Sequence, residues 1–201
     1  MYIPSLIKEE NISKAELTLA NDMINNLLKL IELKSHKLFL HSQQVTNYAV
    51  SIAAKMKLPQ SEIVRISIAA MLHDVGHLTV PNSVLIKAPY LSTRETSVYK
   101  NHCNAGSYML ENISACQEII PYIRYHHERF DGKGYPKRLK GLNIPLGARI
   151  IAVANHYDRF INPCTEHWAK TKEEAVKELF DLSGSVFDPD VVKAFINALG
   201  D

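Results

Sequence analysis

The sequence predicts an all-α domain carrying one long, ordered loop. Three observations carry that reading. Apolar residues recur at helical steps through almost the whole chain, helix-capping signals stand at the starts of the periodic runs, and turn formers gather in a single stretch. No segment alternates apolar and polar residues for long enough to read as a strand.

Taken in order, residues 13–34 form an apolar-periodic run. Val45, Tyr48, Ala49, Ile52, Ala53 and Met56 repeat at steps of three and four, the stripe of an amphipathic helix over about residues 41–57. Leu58 and Pro59 end it, and Ser61 reads as the N-cap of a second helix running to Leu72. Ser92-Thr93-Arg94-Glu95 has the form of a capping box and opens a long helix to about residue 112. Thr171-Lys172-Glu173-Glu174 repeats that form before a helix over residues 175–182. Asp188-Pro189 pairs an N-cap with proline at the first helical position of a last helix to Leu199. The turn-rich stretch runs from Asp131-Gly-Lys-Gly-Tyr-Pro136 to Pro145, and a loop of that length in a compact domain needs a functional reason.

With 201 residues, 46% of them hydrophobic, the chain can bury the core of one generous domain. Lys and Arg number 23 against 21 Asp and Glu, a net charge of +2, which argues against a general binder of nucleic-acid polymers or membrane surfaces. Cys103, Cys116 and Cys164 are an odd, widely spaced set without a CxxC pair, unlike a secreted disulfide framework. There is no signal-peptide pattern and no apolar stretch near ~18 residues, so a cytoplasmic protein that does not span a membrane is expected. No receiver or sensory segment is visible, which leaves a stand-alone protein or one regulated in trans.

The nine histidines are the anomaly. His73-Asp74 ends a helix apolar on most faces, and a buried carboxylate without compensation costs several kcal/mol. A divalent cation supplies that compensation; a structural His–Asp hydrogen bond is the plainer account of the dipeptide alone. His126 and His127 are neighbours, which diverge by ~100° on a helix and so suit two ions, or one where the helix unwinds. His102 stands mid-helix and His41 opens its helix. Five histidines and an aspartate exceed what one tetrahedral ion needs, and two metals fit better.

The spacing adds a resemblance. His41-Ser-Gln-Gln-Val45, Leu72-His-Asp-Val-Gly-His77, His102-x-x-x-Gly106, His126-His-Glu-Arg-Phe-Asp-Gly-Lys-Gly-Tyr-Pro136 and Arg149-Ile-Ile-Ala-Val-Ala-Asn155 together resemble an HD-GYP domain, of the HD phosphohydrolase superfamily. Its members degrade the bacterial second messenger cyclic di-GMP. The resemblance covers residues 36–201 and leaves residues 1–35 as an N-terminal helical extension, a lid or a dimerisation helix. It implies an HD-domain helical bundle with an ordered Gly-Tyr-Pro loop. It also implies two divalent ions, iron or manganese, held by His41, His73, Asp74, His102, His126 and His127, with Asp74 bridging and Asn155 at the last ligand position. The implied activity is phosphodiesterase cleavage of cyclic di-GMP to the linear dinucleotide or GMP by two-metal water attack. Asp74 and His77 stand at catalytic positions, and Lys87, Lys133, Gly134, Tyr135 and Pro136 at substrate-contacting ones. Implied partners are the cyclic dinucleotide and signalling proteins such as diguanylate cyclases (GGDEF proteins), with a homodimer as a further expectation.

The chain departs from the family at several points. His77 replaces the usual lysine, and serves as a phosphate donor or an extra metal ligand. Asn155 replaces the last aspartate, and a neutral amide binds a hard cation more weakly than a carboxylate does. Asp158-Arg159-Phe160 stands where relatives read Asp-Ala-Leu, and residues 161–168 lack the following Arg-Pro-Tyr, whose arginine is the expected phosphate clamp; the sequence leaves open whether Arg159 reaches that place. Lys37 occupies the position of a third-metal glutamate. Lys137-Arg138 follows Gly-Tyr-Pro in place of the usual glycine, and with Lys133 and Lys140 crowds the loop with positive charge, either a lure for an anionic dinucleotide or a solvated face. The alternative function is a degenerate module that binds cyclic di-GMP or partner proteins without hydrolysis.

Overall fold

A computed structural model describes residues 14–87, 90–162 and 170–200. Among them there are ten α-helices and no strand beyond an isolated Ser183–Phe187 bridge. Helices α1 (Lys14–Lys34), α2 (His36–Lys55) and α3 (Gln60–Leu72) come first; a 3-10 turn over Val75–Thr79 then leads to the short α4 (Asn82–Leu85). Helices α5 (Thr93–Lys100), α6 (His102–Leu110) and α7 (Ile120–Tyr125) precede the long loop, and α8 (Leu146–Ile161), α9 (Lys172–Asp181) and α10 (Pro189–Leu199) follow it. No helix among the described residues is long and apolar enough to cross a membrane.

Helix α2 is the central element, packed against α3, α8, α10 and α1. Its stripe of Val45, Ala49, Ile52 and Ala53 is fully buried and shares one apolar core with Ile66 and Ala69 of α3, Ile151 and Ala154 of α8 and Phe195 of α10. Burying an isoleucine or phenylalanine side chain contributes ~1.5–3 kcal/mol, so this seam dominates the stability of the bundle. Helix α1 joins the same core through Ala20, Ile24, Leu28 and Ile31. Of the N-terminal extension read from the sequence, residues 1–13 lie outside the described residues.

Both capping boxes form: Ser92 with Glu95 opens α5, and Thr171 with Glu174 opens α9. Asp188 caps α10 by accepting from the Asp190 amide. Three details differ from the sequence expectation. Helix α2 starts five residues before His41, capped by Ser35, so His41 sits in its second turn instead of opening it. Helix α3 starts at Gln60 behind Pro59, and Ser61 is inside it. The long helix expected over residues 92–112 breaks at Asn101, so His102 opens α6 instead of standing mid-helix. The cause is local: the Tyr99 carbonyl accepts from the Asn101 amide and from His102 Nδ1, and is withdrawn from the regular helical ladder.

Candidate metal centre

Three histidines are placed by one repeated device. His73 caps α3, His102 starts α6 at the end of α5, and His126 caps α7. In each, ring Nδ1 lies 2.7 Å from the backbone carbonyl three residues earlier, of Ala70, Tyr99 and Ile123. A carbonyl only accepts, so Nδ1 is the protonated nitrogen and Nε2 keeps its lone pair. The helix-end carbonyl gains a partner, and the ring is locked with Nε2 directed inwards. The same holds for His41, whose Nδ1 donates to Asp158 Oδ2 at 2.5 Å.

These lone pairs surround Asp74, which is fully buried. His73 Nε2 lies 3.4 Å and His41 Nε2 3.9 Å from Asp74 Oδ2, while His77, His102 and His126 approach Oδ1 at 3.4, 3.5 and 3.9 Å. His77 also stacks on His102 with ring centres 4.1 Å apart. His127 stands next to His126, 4.1 Å between rings, and under Tyr135 of the loop. Two pairs of acceptors face each other: His102 Nε2 and His126 Nε2 at 3.4 Å, and His41 Nε2 and Asn155 Oδ1 at 3.0 Å. The orientation of the Asn155 amide is fixed by Arg159, whose Nε donates to Oδ1 at 2.8 Å. Buried polar atoms without a hydrogen bond include His73 Nε2, Asp74 Oδ1, His77 Nδ1 and His127 Nε2. Opposed lone pairs beside a buried anion are unfavourable by themselves and favourable around a cation, so the donor set fits metal ions.

Ionisation supports this. Burial alone would raise the Asp74 carboxyl, yet His73 and His77 beside it hold it well below the usual carboxylate range. Burial lowers His102 to about 3 and takes His126 and His127 well below their ordinary value; it lowers His41 too, against the pull of Asp158. These imidazoles are therefore neutral at pH 7, as ligands must be. The consequence for the metal-free protein is measurable. Between about 6.5, where an unfolded histidine titrates, and the lowered native value, the unfolded chain holds more protons, so stability falls as pH falls. His102, lowered to about 3, is expected by itself to remove ~2 kcal/mol between pH 7 and 5, and the other lowered histidines act in the same direction. A urea midpoint that stays constant between those pH values would contradict the burial of neutral imidazoles.

The loop after α7 is ordered by Glu128. Its buried carboxylate accepts from the amides of Lys137 (2.6 Å) and Leu139 (3.1 Å), folding the chain back on itself. The Tyr135 amide donates to the His127 carbonyl, and its ring stacks on His127 at 4.9 Å. Gly134 has no alternative: a Cβ there would lie 2.3 Å from the Arg129 nitrogen and 2.6 Å from the His127 carbonyl oxygen. Arg149 fastens the far end, donating to the Ile144 carbonyl and pairing with Asp188.

Beside Asp74 opens a cavity of ≈ 550 Å³, within the usual range for small-molecule sites. His41, His77, Tyr99 and Arg159 are among its polar lining, Leu38, Leu40 and Leu85 supply apolar lining, and Lys37 lines it too. Arg159 spans the boundary, with Nη2 3.3 Å from Asp74 Oδ2 and Nη1 3.2 Å from the Tyr99 hydroxyl.

The structure thus brings together His41, His73, Asp74, His77, His102, His126, His127 and Asn155, with Tyr135 against them. Lys87 and Lys133 are exposed and line no part of this cavity; Lys87 pairs with Glu95 at 2.7 Å. The segment read as lacking Arg-Pro-Tyr, residues 161–168, falls largely outside the described residues. Sequence reasoning missed Tyr99 and the roles of Asp158 and Glu128. Asp158 was signalled by its helical step of three from Asn155.

The sequence pattern of the HD domain matches residues 25–191. A cyclic di-GMP phosphodiesterase of Thermotoga maritima is 32% identical over 177 residues, 87% of this chain and 47% of that protein. A 3'3'-cGAMP-specific phosphodiesterase of Vibrio cholerae is 31% identical over 182 residues, 88% of this chain and 34% of that protein. Among solved structures, a cyclic GMP-AMP specific phosphodiesterase of Vibrio cholerae superposes with a TM-score of 0.67 at 20% identity, over 91% of this chain and 49% of that one. The chain spans half or less of the length of these relatives. With that match across most of its length, and with the His-Asp dipeptide and Gly-Tyr-Pro loop both in place, the chain belongs to the HD-domain family and carries its HD-GYP signature.

Proposed function

We propose that this domain is a metal-dependent phosphodiesterase that hydrolyses a cyclic dinucleotide, cyclic di-GMP first, to the linear dinucleotide or GMP. The observation that carries the proposal is the set of inward imidazole lone pairs around buried Asp74, opening on a cavity whose lining includes a guanidinium. The relatives named above support the substrate class. Two ions are favoured by the two opposed acceptor pairs, on His41 with Asn155 and on His102 with His126, with the Asp74 carboxylate between them. Bound there, divalent ions supply Lewis-acid charge and a water activated for attack on phosphorus. Iron or manganese matches the histidine and carboxylate donors.

The chain's own groups do the rest. Arg159 presents a fixed cation to a phosphodiester entering the cavity, and Asp74 and Tyr99 hold it in place. His77 lines the cavity beside Asp74, in reach of the same phosphate. The apolar lining of Leu38, Leu40 and Leu85 offers surface to a base. Arg159→Ala is expected to lower turnover by about a hundredfold with the helical fold retained by circular dichroism. An unchanged rate would remove Arg159 from the mechanism.

The proposal is tested by cyclic di-GMP turnover on protein loaded anaerobically with ferrous iron or manganese, with bound metal counted on the same sample. Turnover at about two metals per chain is the expected result. A second reading is favoured by Asn155, whose oxygen is shared between Arg159 and His41 and lacks the carboxylate charge. It predicts tight cyclic dinucleotide binding without hydrolysis at full metal occupancy. Turnover of 3'3'-cGAMP in preference to cyclic di-GMP would keep the reaction and change the substrate.

A further inference from the structure

We infer that Cys103 is a ligand of the centre, joining His102, His126 and His127, so that this half takes a borderline-soft divalent cation such as iron(II), cobalt(II) or zinc in preference to a hard one. The inference rests on the metal-centre reading above and deepens it by assigning a donor that composition and motif do not. Cys103 is fully buried in the first turn of α6, and its Sγ lies 3.5 Å from His102 Nε2. Because His102 Nδ1 is already protonated and bonded to the Tyr99 carbonyl, the thiol hydrogen is directed at the same lone pair that a cation would occupy. The sulfur and one ring nitrogen of each of the three histidines all lie within 4.8 Å of one another.

The plainer role for a buried cysteine is that of a small apolar side chain. Cys116 illustrates it, buried in the core cluster and, among the described residues, in no such group of donors. Cys103 differs in facing three neutral imidazoles, one of them with a buried nitrogen that has no hydrogen bond, at His127. Three imidazoles and a thiolate form a donor set suited to zinc or iron. On coordination the sulfur–hydrogen bond is replaced by a sulfur–metal bond, and one proton leaves to solvent.

Cobalt(II) is the probe, added to the metal-free full chain and followed by absorption. A thiolate-to-cobalt charge-transfer band in the near ultraviolet is expected beside the visible d–d bands. That band should persist in Cys116→Ala and Cys164→Ala and vanish in Cys103→Ala with the d–d bands retained. Cys103→Ser, nearly isosteric in this buried position, should also lose the band and bind cobalt at least about tenfold more weakly. Visible cobalt bands without charge transfer in the native chain, or a band that survives in Cys103→Ser, would overturn the cysteine assignment and leave the metal centre standing. A native chain that takes up no cobalt would overturn both.

Discussion

Replacing Asp74 by asparagine is expected to abolish cyclic dinucleotide hydrolysis, by about a thousandfold or more, and to strip the domain of bound metal. The carboxylate stands where the imidazoles converge, with five of their nitrogens between 3.4 and 3.9 Å from its two oxygens. Losing it removes several kcal/mol of charge stabilisation, and each 1.36 kcal/mol is a factor of ten in rate. The substitution is nearly isosteric, so the fold should persist; circular dichroism and metal analysis on the same sample separate a broken centre from a broken protein. Because its neighbours hold the Asp74 carboxyl well below the usual range, the ionised carboxylate stabilises the fold at neutral pH, so the metal-free variant is expected to be less stable than the metal-free parent. A variant that retains the parental rate would end the metal-centre account.

The second large effect is structural and falls on Gly76. A Cβ at this position would stand 1.9 Å from the carbonyl oxygen of His102 and 2.6 Å from the Gly106 nitrogen, both main-chain atoms. The 3-10 turn after Asp74 therefore lies directly on the backbone of α6, and this contact brings the His73-Asp74 end of the site to His102. Main chain has no rotamer to change, so Gly76→Ala must push the two elements apart. The expected cost is at least ~3 kcal/mol, with metal affinity lost because the two halves of the donor set separate. Urea denaturation measures the first part and cobalt binding the second. A variant with parental stability would show that this close approach is not a constraint of the fold.

Much of this was legible in the chain, for reasons that are local. Capping boxes at Ser92 and Thr171 and the Asp188-Pro189 start depend on residues three or fewer apart, and they form as read. The apolar stripe of α2 needed only helical periodicity. The candidate ligands were legible because a histidine pair before a Gly-Tyr-Pro loop, and a His-Asp dipeptide ending an apolar helix, are compact signals. The break at Asn101 was not, since it depends on the Tyr99 carbonyl choosing a side chain over the helical ladder. Nor was the exclusion of Lys87 and Lys133 from the cavity: positive charge near a motif says nothing about which face it covers.

By itself, then, the sequence determined the helical class, the helix starts capped by Ser92, Thr171 and Asp188, and the histidine and carboxylate candidates for the site. Tertiary structure decided what those donors do. It set His73, His102 and His126 at helix ends, where a spare carbonyl fixes each tautomer, and it closed the gap between residues far apart in the chain by packing Gly76 on the backbone of α6. It also brought Arg159 across to Asp74, and Cys103 within reach of His126 and His127. The physical reason is range. Caps and stripes are settled by neighbours within a turn or two, whereas the direction of a lone pair and the partner of a buried charge are fixed only when distant helices pack.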